Sequence, residues 1–318
     1  MRKIVMLEKG TLGDLDFDIF SKFGEVTFYD ETRDEDIVER IKDANIIFVN
    51  KVILNGDKLK EAKNLELICE LATGYNNIDI EYAKANNIAV TNVAGYSTPT
   101  VAQHTFATLL SLYDKISYYD NYVKSGKYSE SGLFTDLSNP YNDIEGKRWG
   151  IIGLGAIGIR VAHIADAFGA EVVYYSTSGR NNNNDYTRLE LDELLETCDI
   201  ISIHAPLNEN TEGLINYKNL CKMKKNAVLI NMGRGPIVVD EDLARAIDEE
   251  IIAGAALDVF TIEPIKKENP LLHVKKKENL IMTPHVAWAS IEARTRLLKE
   301  VVNNIDSFYK GEMRNRIV

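Results

Sequence analysis

Residues 149–180 read WGIIGLGAIGIRVAHIADAFGAEVVYYSTSGR, and the fold of the chain turns on them. An apolar run leads into Gly153, Gly155 and Gly158, spaced G-x-G-x-x-G, and a helical pattern follows. In this spacing the first glycine allows a tight turn, the second lets backbone approach a pyrophosphate, and the third lets helix and strand pack closely. The pyrophosphate then lies at a helix N-terminus, where free N–H groups and the dipole favour an anion. Glycine-rich turns are common, so the spacing alone is a weak signal. Here a strand precedes it, a helix follows, and five more strand-like runs come after, so the stretch is read as a dinucleotide site. Two features stand out. The fingerprint lies in the middle of the chain, and it ends in YSTSGR where such sites place an acidic residue.

C-terminal to it, AEVVYY, DIISIHA, NAVLINM, IAGAALDV and NLIMTP join RWGIIG as buried strands separated by helices or loops. Six strands with crossovers make a doubly wound sheet. N-terminal to it, KIVML (3–7), NIIFV (45–49), ELICEL (66–71) and IAVTN (88–92) alternate with helical segments at 34–44 and 78–87. The fold class expected is α/β, with two doubly wound parallel-sheet domains. One spans 1–98 and is completed by a returning helix within 290–318; the other spans 99–289. A helix is predicted over 98–126, with Thr98 as N-cap and Pro99 at the first helical position. The run NNNN at 181–184 reads as an exposed loop.

A chain of 318 residues allows two domains of about 150 residues each. The formal net charge of −11 argues against nucleic acid or an anionic membrane surface as partner. The start, MRKIVMLEKG, is too short in apolar residues for a signal peptide, and no apolar run approaches a membrane span of about 18 residues. Cys69, Cys198 and Cys221 are far apart, form no CxxC pair and lie in or near apolar stretches. They are expected to be buried, reduced thiols in a cytoplasmic protein, with no metal bound.

Ligands of a doubly wound sheet bind outside the carboxyl ends of its strands. His204 ends DIISIHA and His285 ends IMTPH, so both are well placed, whereas His104, His163 and His273 are read as core or surface residues. Arg234 in NMGRGP, with Asp258 and Glu263 in LDVFTIEP, occupies two further strand ends. Arg234, Glu263 and His285 thus share one rim, as a reacting group or as a salt-bridge set trimming the sheet edge.

The motifs GLGAIG, HAPLNENTEGLIN, NMGRGPIVVDEDLARAI, GAALDVFTIEP and TPHVAWAS resemble, in order and over essentially the whole chain, those of the D-2-hydroxyacid dehydrogenase family. The resemblance implies a flavodoxin-like substrate domain with an inserted Rossmann nucleotide domain. It implies that His285 protonates the carbonyl oxygen of a 2-keto acid as hydride reaches its carbon, that Glu263 orients the imidazole, and that Arg234 grips the carboxylate and carbonyl oxygens. A histidine suits the first task because its ordinary pKa lies near working pH, and an arginine fork suits the last because lysine cannot reproduce it. Asp258 is implied to stand beside the nicotinamide amide, or else to cap a helix after its strand. Ala156, Ile157, His204, Pro206, Thr211 and Met232 are further nucleotide contacts on the same basis. Thr73 and Gly74, in LATGYNNIDI, resemble the loop whose N–H groups bind the substrate carboxylate. Lys51 is either a contact to a polar substrate tail or a solvated side chain. Trp288 resembles the tryptophan of the glycerate dehydrogenase or hydroxypyruvate reductase branch, or else packs in the core.

The expected reaction is NAD(P)-dependent reduction of hydroxypyruvate or glyoxylate to the D-2-hydroxy acid, by a homodimer joined through its nucleotide domain. The alternatives are a dehydrogenase for larger branched or aromatic keto acids, and a nucleotide-sensing corepressor-like protein. At the second strand end Ser176, Thr177, Ser178 and Arg180 replace the carboxylate that would repel a 2′-phosphate. NADPH is therefore favoured, with NADH the alternative if the loop after Ser176 is mobile.

Overall fold

A computed structural model of the chain describes all of residues 1–318 and divides into two compact units. The first comprises Met1–Ser97 and Ala289–Val318, the second Thr98–Trp288.

The first unit is a five-stranded parallel sheet of β1 (Lys3–Met6), β2 (Glu25–Phe28), β3 (Ile46–Val49), β4 (Leu67–Glu70) and β5 (Ala89–Thr91), in the order β2-β1-β3-β4-β5. This is the flavodoxin-like order. Strands β3 and β4 are buried at every position, as their continuous apolar sequences require. Strand β2 was not expected, because as an edge strand it is half-exposed and carries no apolar run. The helix Ile291–Tyr309 is capped by Ser290, whose hydroxyl accepts the Ala293 N–H at 3.1 Å, and buries Leu297, Leu298, Val301 and Ile305. The chain then pairs with the outer edge of β5, with Ile317 N–H donating to the Val90 carbonyl at 2.8 Å.

The second unit contains β6 (Arg148–Ile152), β7 (Glu171–Tyr175), β8 (Thr187–Arg188), β9 (Ile200–Ile203), β10 (Val228–Asn231), β11 (Gly254–Leu257) and β12 (Leu280–Met282). Their order is β12-β11-β10-β9-β6-β7-β8, all parallel. Strand β8 is an exposed two-residue addition that no sequence run announced. The order reverses between β6 and β9, which is where such a sheet opens its ligand crevice. Alternate strand residues supply two cores. One lies around Leu229, Leu243 and Ile247; the other, around Trp149, Phe106 and Val161, includes the partner face of the helix Thr98–Tyr113.

Three local expectations are corrected. The helix predicted over 98–126 breaks after Tyr113 and resumes at Ile116–Lys124, with Lys115 between them in the left-handed region (φ 54°). Thr98 is the first residue of this helix and not its cap. Cys69 and Cys198 are buried, but Cys221 is exposed, because it follows the buried Leu220 of a short helix and rotates away from the core. No helix is long and apolar enough to cross a membrane.

Candidate active site

The crevice is built first by the glycine turn. Gly153 has φ 93°, and a Cβ on it would lie 2.8 Å from the Ala205 nitrogen, so the end of β9 closes directly over it. Gly158 is equally tight against the Gly153 carbonyl. Gly155 differs: its backbone is ordinary and a Cβ there would meet nothing. The chain itself does not need that glycine. A ligand backed onto the turn does, and it would meet the N–H groups of Ala156 and Ile157 that open the helix Ala156–Ala167. This open cradle fits the pyrophosphate of a dinucleotide.

His204 stands at the end of β9 beside it. Its Nε2 lies 3.1 Å from the Ser202 hydroxyl, which accepts the Trp149 indole N–H at 2.9 Å; its Nδ1 is buried without a partner in the chain. Burial pushes the His204 imidazole down to about 3, so it stays neutral at working pH and cannot serve as the acid. Pro206 is exposed and Met232 buried. Thr211 is wholly buried, and its hydroxyl donates to the Pro206 carbonyl at 2.7 Å and accepts the Asn208 N–H at 2.8 Å. It therefore shapes its loop from within and does not reach out of it.

The segment after β7 departs from its expected form. Ser176 is buried, and its hydroxyl accepts the Asn181 N–H at 3.3 Å. Thr177 is half-buried, while Ser178 and Arg180 are exposed. The asparagine run is pinned: the Tyr174 hydroxyl donates to the Asn181 carbonyl at 3.2 Å and accepts the Asn183 N–H at 3.0 Å, and the Asn181 amide donates to the Leu154 carbonyl. Arg188 on β8, which sequence reading missed, donates to the Gly179 carbonyl at 3.0 Å and adds a second guanidinium to this turn.

The third part is the rim formed by β10, β11 and β12. The buried Asn231 folds the arginine turn, accepting the Gly233 N–H at 3.0 Å and donating to the Arg234 carbonyl at 2.9 Å. At Gly235 a Cβ would lie 1.9 Å from the Phe260 carbonyl carbon, so only glycine lets this turn meet the one after β11. There Glu263 accepts the Phe260 N–H at 3.1 Å and meets His285 Nδ1 at 2.7 Å, with the two side chains 29% and 23% exposed. His285 itself is left-handed, φ 54°. Its N–H lies 2.8 Å from the Asp258 carbonyl and 3.0 Å from that of Thr283. The Asp258 carboxylate, 1% exposed, accepts the Val286 N–H at 2.9 Å, the Ala287 N–H at 2.8 Å and the Thr283 hydroxyl at 2.6 Å. Three charge-assisted bonds at about 1.5–3 kcal/mol each outweigh a left-handed backbone cost of about 1–2 kcal/mol. No helix follows β11 directly, so the alternative of a helix cap for Asp258 falls. Its carboxylate turns inward and braces the histidine loop.

Residues 106–287 fit the family model described as D-isomer specific 2-hydroxyacid dehydrogenase, NAD binding domain. The chain is 38% identical over 316 residues to a hydroxypyruvate reductase of Blautia hydrogenotrophica, covering 97% of each chain. It is 36% identical over 315 residues to a glycerate dehydrogenase of Methylorubrum extorquens, covering 99% of this chain and 98% of that one. Among solved structures, an acyclic imino acid reductase in complex with NADPH and D-Arg superposes with a TM-score of 0.88 at 30% identity, over 99% of this chain and 100% of the other.

The chain belongs to the D-2-hydroxyacid dehydrogenase family. As a member of the glycerate dehydrogenase and hydroxypyruvate reductase branch it is an oxidoreductase with a nicotinamide-nucleotide domain. Trp288 is half-buried against the core around Trp149. In the first unit of this dehydrogenase, Thr73 is exposed, its hydroxyl donating to the Val93 carbonyl at 3.0 Å and its carbonyl accepting the Asn92 amide at 2.7 Å. The N–H groups of Thr73 and Gly74 make no bond within the chain. Lys51 has an exposed side chain, and its N–H donates to Glu8 at 2.8 Å. Sequence reading also missed His104, whose Nε2 is 3.0 Å from the Thr283 hydroxyl and 3.7 Å from Asp258. Neither contact has a local pattern, since both join a helix to a distant loop.

Replacing Asp258 with Asn turns an N–H group toward the loop's own donors. The expected result is a fall in turnover of about 10²-fold, the scale of a misplaced reacting group, with nucleotide affinity nearly unchanged. Steady-state kinetics and a nucleotide titration check this. A variant that keeps turnover but loses nucleotide would make Asp258 a cofactor contact.

Proposed function

We propose that the chain reduces a small 2-keto acid, hydroxypyruvate or glyoxylate foremost, to the D-2-hydroxy acid, with His285 as the proton donor. The observation that carries this reading is the 2.7 Å pairing of His285 Nδ1 with Glu263, on a loop braced by Asp258 and beside the Arg234 turn. The names of the two curated relatives support the choice of substrate.

A bound nicotinamide nucleotide supplies the hydride. Glu263 accepts a hydrogen bond from Nδ1–H and fixes the ring's orientation, leaving the Nε2 proton as the one to transfer to the carbonyl oxygen. After transfer the ring is neutral, still held at Nδ1. Arg234 holds the substrate's carboxylate and carbonyl oxygens through its fork. The N–H groups of Thr73 and Gly74 bind the carboxylate, Lys51 meets a polar tail, and Trp288 packs beside the substrate. Gly153, Gly155, Ala156, Ile157 and Gly158 hold the pyrophosphate, and His204, Pro206 and Met232 border the nucleotide.

His285→Ala is expected to lower turnover by about 10²–10⁴-fold, the usual weight of general acid catalysis, with nucleotide affinity intact. Arg234→Lys should chiefly raise KM for the keto acid. Retention of a tenth of wild-type turnover by His285→Ala removes it from the mechanism.

For the nucleotide we favour NADPH over NADH. Support comes from the absence of a carboxylate at the end of β7, from exposed Ser178, Arg180 and Arg188, and from the NADPH held by the imino acid reductase. Ser176, being buried, is dropped from the 2′-phosphate set. Removing Arg180 or Arg188 is expected to cut the NADPH/NADH efficiency ratio by about 10- to 150-fold, the worth of one charge-assisted bond. A wild type that prefers NADH overturns this.

We also propose a cytoplasmic homodimer joined through the nucleotide unit. No disulfide is present. Leu133, Phe134 and Leu137 are 68%, 90% and 79% exposed in sequence proximity. A groove of about 490 Å³, lined by Phe106, Leu110, Ile164 and Phe168, opens on the same unit. An exposed apolar arm and an apolar groove on one chain suit a self-complementary interface. Light scattering is expected to give a dimer mass for wild type and a monomer for Phe134→Asp; a wild-type monomer at micromolar concentration refutes the proposal.

A further inference from the structure

Strand β4 ends at Glu70, whose side chain is wholly buried. Its Oε2 accepts the Asn77 amide at 3.0 Å, and its Oε1 has no partner. The same Asn77 amide nitrogen reaches the carbonyls of Val52 at 3.2 Å and Asn50 at 3.5 Å. From the opposite side Glu8, just after β1, collects the N–H groups of Asn50, Lys51 and Val52 on one oxygen, at 3.0, 2.8 and 2.9 Å. The segment 50–52 is thus gripped by its N–H groups through Glu8 and by its carbonyls through Asn77. The loop carrying Thr73 and Gly74 begins at Glu70 and closes at Asn77, the two ends of the same clamp.

We propose that Glu70 is a positioning residue that, through Asn77, fixes the segments 50–52 and 71–77 for keto-acid binding. The proposal rests on the reading of Lys51, Thr73 and Gly74 as substrate contacts. Burial, opposed by the Asn77 amide bond, reinforced by Glu8 and opposed again by Lys51, pushes the Glu70 carboxyl up to about 9. Those two are the charged groups facing it from β1 and β3; β5, Ala-Val-Thr, adds none, and the neighbouring Cys69 thiol is itself pushed up to about 12 by burial. Below pH 9 the clamp holds a neutral acid beside the Glu8 carboxylate. Above it the ionised carboxylate keeps the Asn77 amide as a donor but has none at the buried Oε1, and with Glu8 close by, the clamp loosens to let water reach that charge.

The test compares wild type, Glu70→Gln and Glu70→Val with hydroxypyruvate at saturating NADPH from pH 7 to 10, alongside hydrogen exchange of the amides in 50–52 and 71–77. Gln keeps an oxygen for Asn77 and cannot ionise; Val removes the anchor. In wild type KM is expected to rise about tenfold between pH 8 and 10, as one proton is lost from the binding-competent form. Glu70→Gln should match wild type at pH 7 and lack that rise, and Glu70→Val should show a raised KM and faster exchange throughout, with kcat little changed. The same alkaline rise in Glu70→Gln as in wild type overturns the proposal. Exchange that quickens as Glu70 ionises while KM stays flat overturns instead the assignment of these loops to substrate. Exchange indifferent to Glu70 in all three proteins overturns the clamp.

Discussion

A buried carboxylate is tolerated only where donors surround it, and at the end of β11 this requirement organises the whole rim. Asp258 draws its donors from the segment 283–287. To deliver them, the chain after β12 curls back and places His285 in a backbone conformation that a non-glycine residue does not choose alone. That conformation turns the imidazole toward Glu263. Glu263 is in turn located by its own bond to Phe260, and the Phe260 backbone is where Gly235 makes room for the arginine turn. Three residues far apart in sequence are thereby linked through backbone contacts as much as through side chains.

The two strand-end histidines show how environment divides roles within one residue type. His204 lies against Ser202 without a charged partner, and burial keeps it neutral. His285 lies against a carboxylate and remains partly open to solvent. The first is enclosed and neutral and the second is held by a carboxylate while open to solvent, although both end strands on the same edge of one sheet.

Much of this was legible in the sequence. The eight interior strands and the edge strands β5 and β12 are continuous apolar runs, so ten of the strands stood out, whereas the other two edge strands, β2 and β8, carry no such run. The glycine spacing announced the turn because its conformation at Gly153 and its close approach at Gly158 have no other solution. Polar residues were less legible, since a sequence shows their identity and not their direction. Ser176, Thr211 and Asp258 all point inward, and the run of asparagines is a hydrogen-bonded turn. His104, Arg188 and Glu70 gain their importance from partners on other elements, which no local pattern encodes.

The turn after β7 separates shape from surface. Its conformation is maintained by Tyr174, Ser176, Asn181 and Asn183, all of which face inward or bond to backbone. Its exposed positions, Ser178, Arg180 and Arg188, add to that framework only the Arg188 contact to the Gly179 carbonyl and the Arg180 N–H bond to the Ser178 hydroxyl at 3.3 Å. Evolution can therefore exchange charges on this surface without repacking what lies beneath. A substitution at one of these exposed positions changes the charge of the surface and leaves the turn standing, whereas loss of the inward-facing tyrosine or asparagines removes the bonds that shape it.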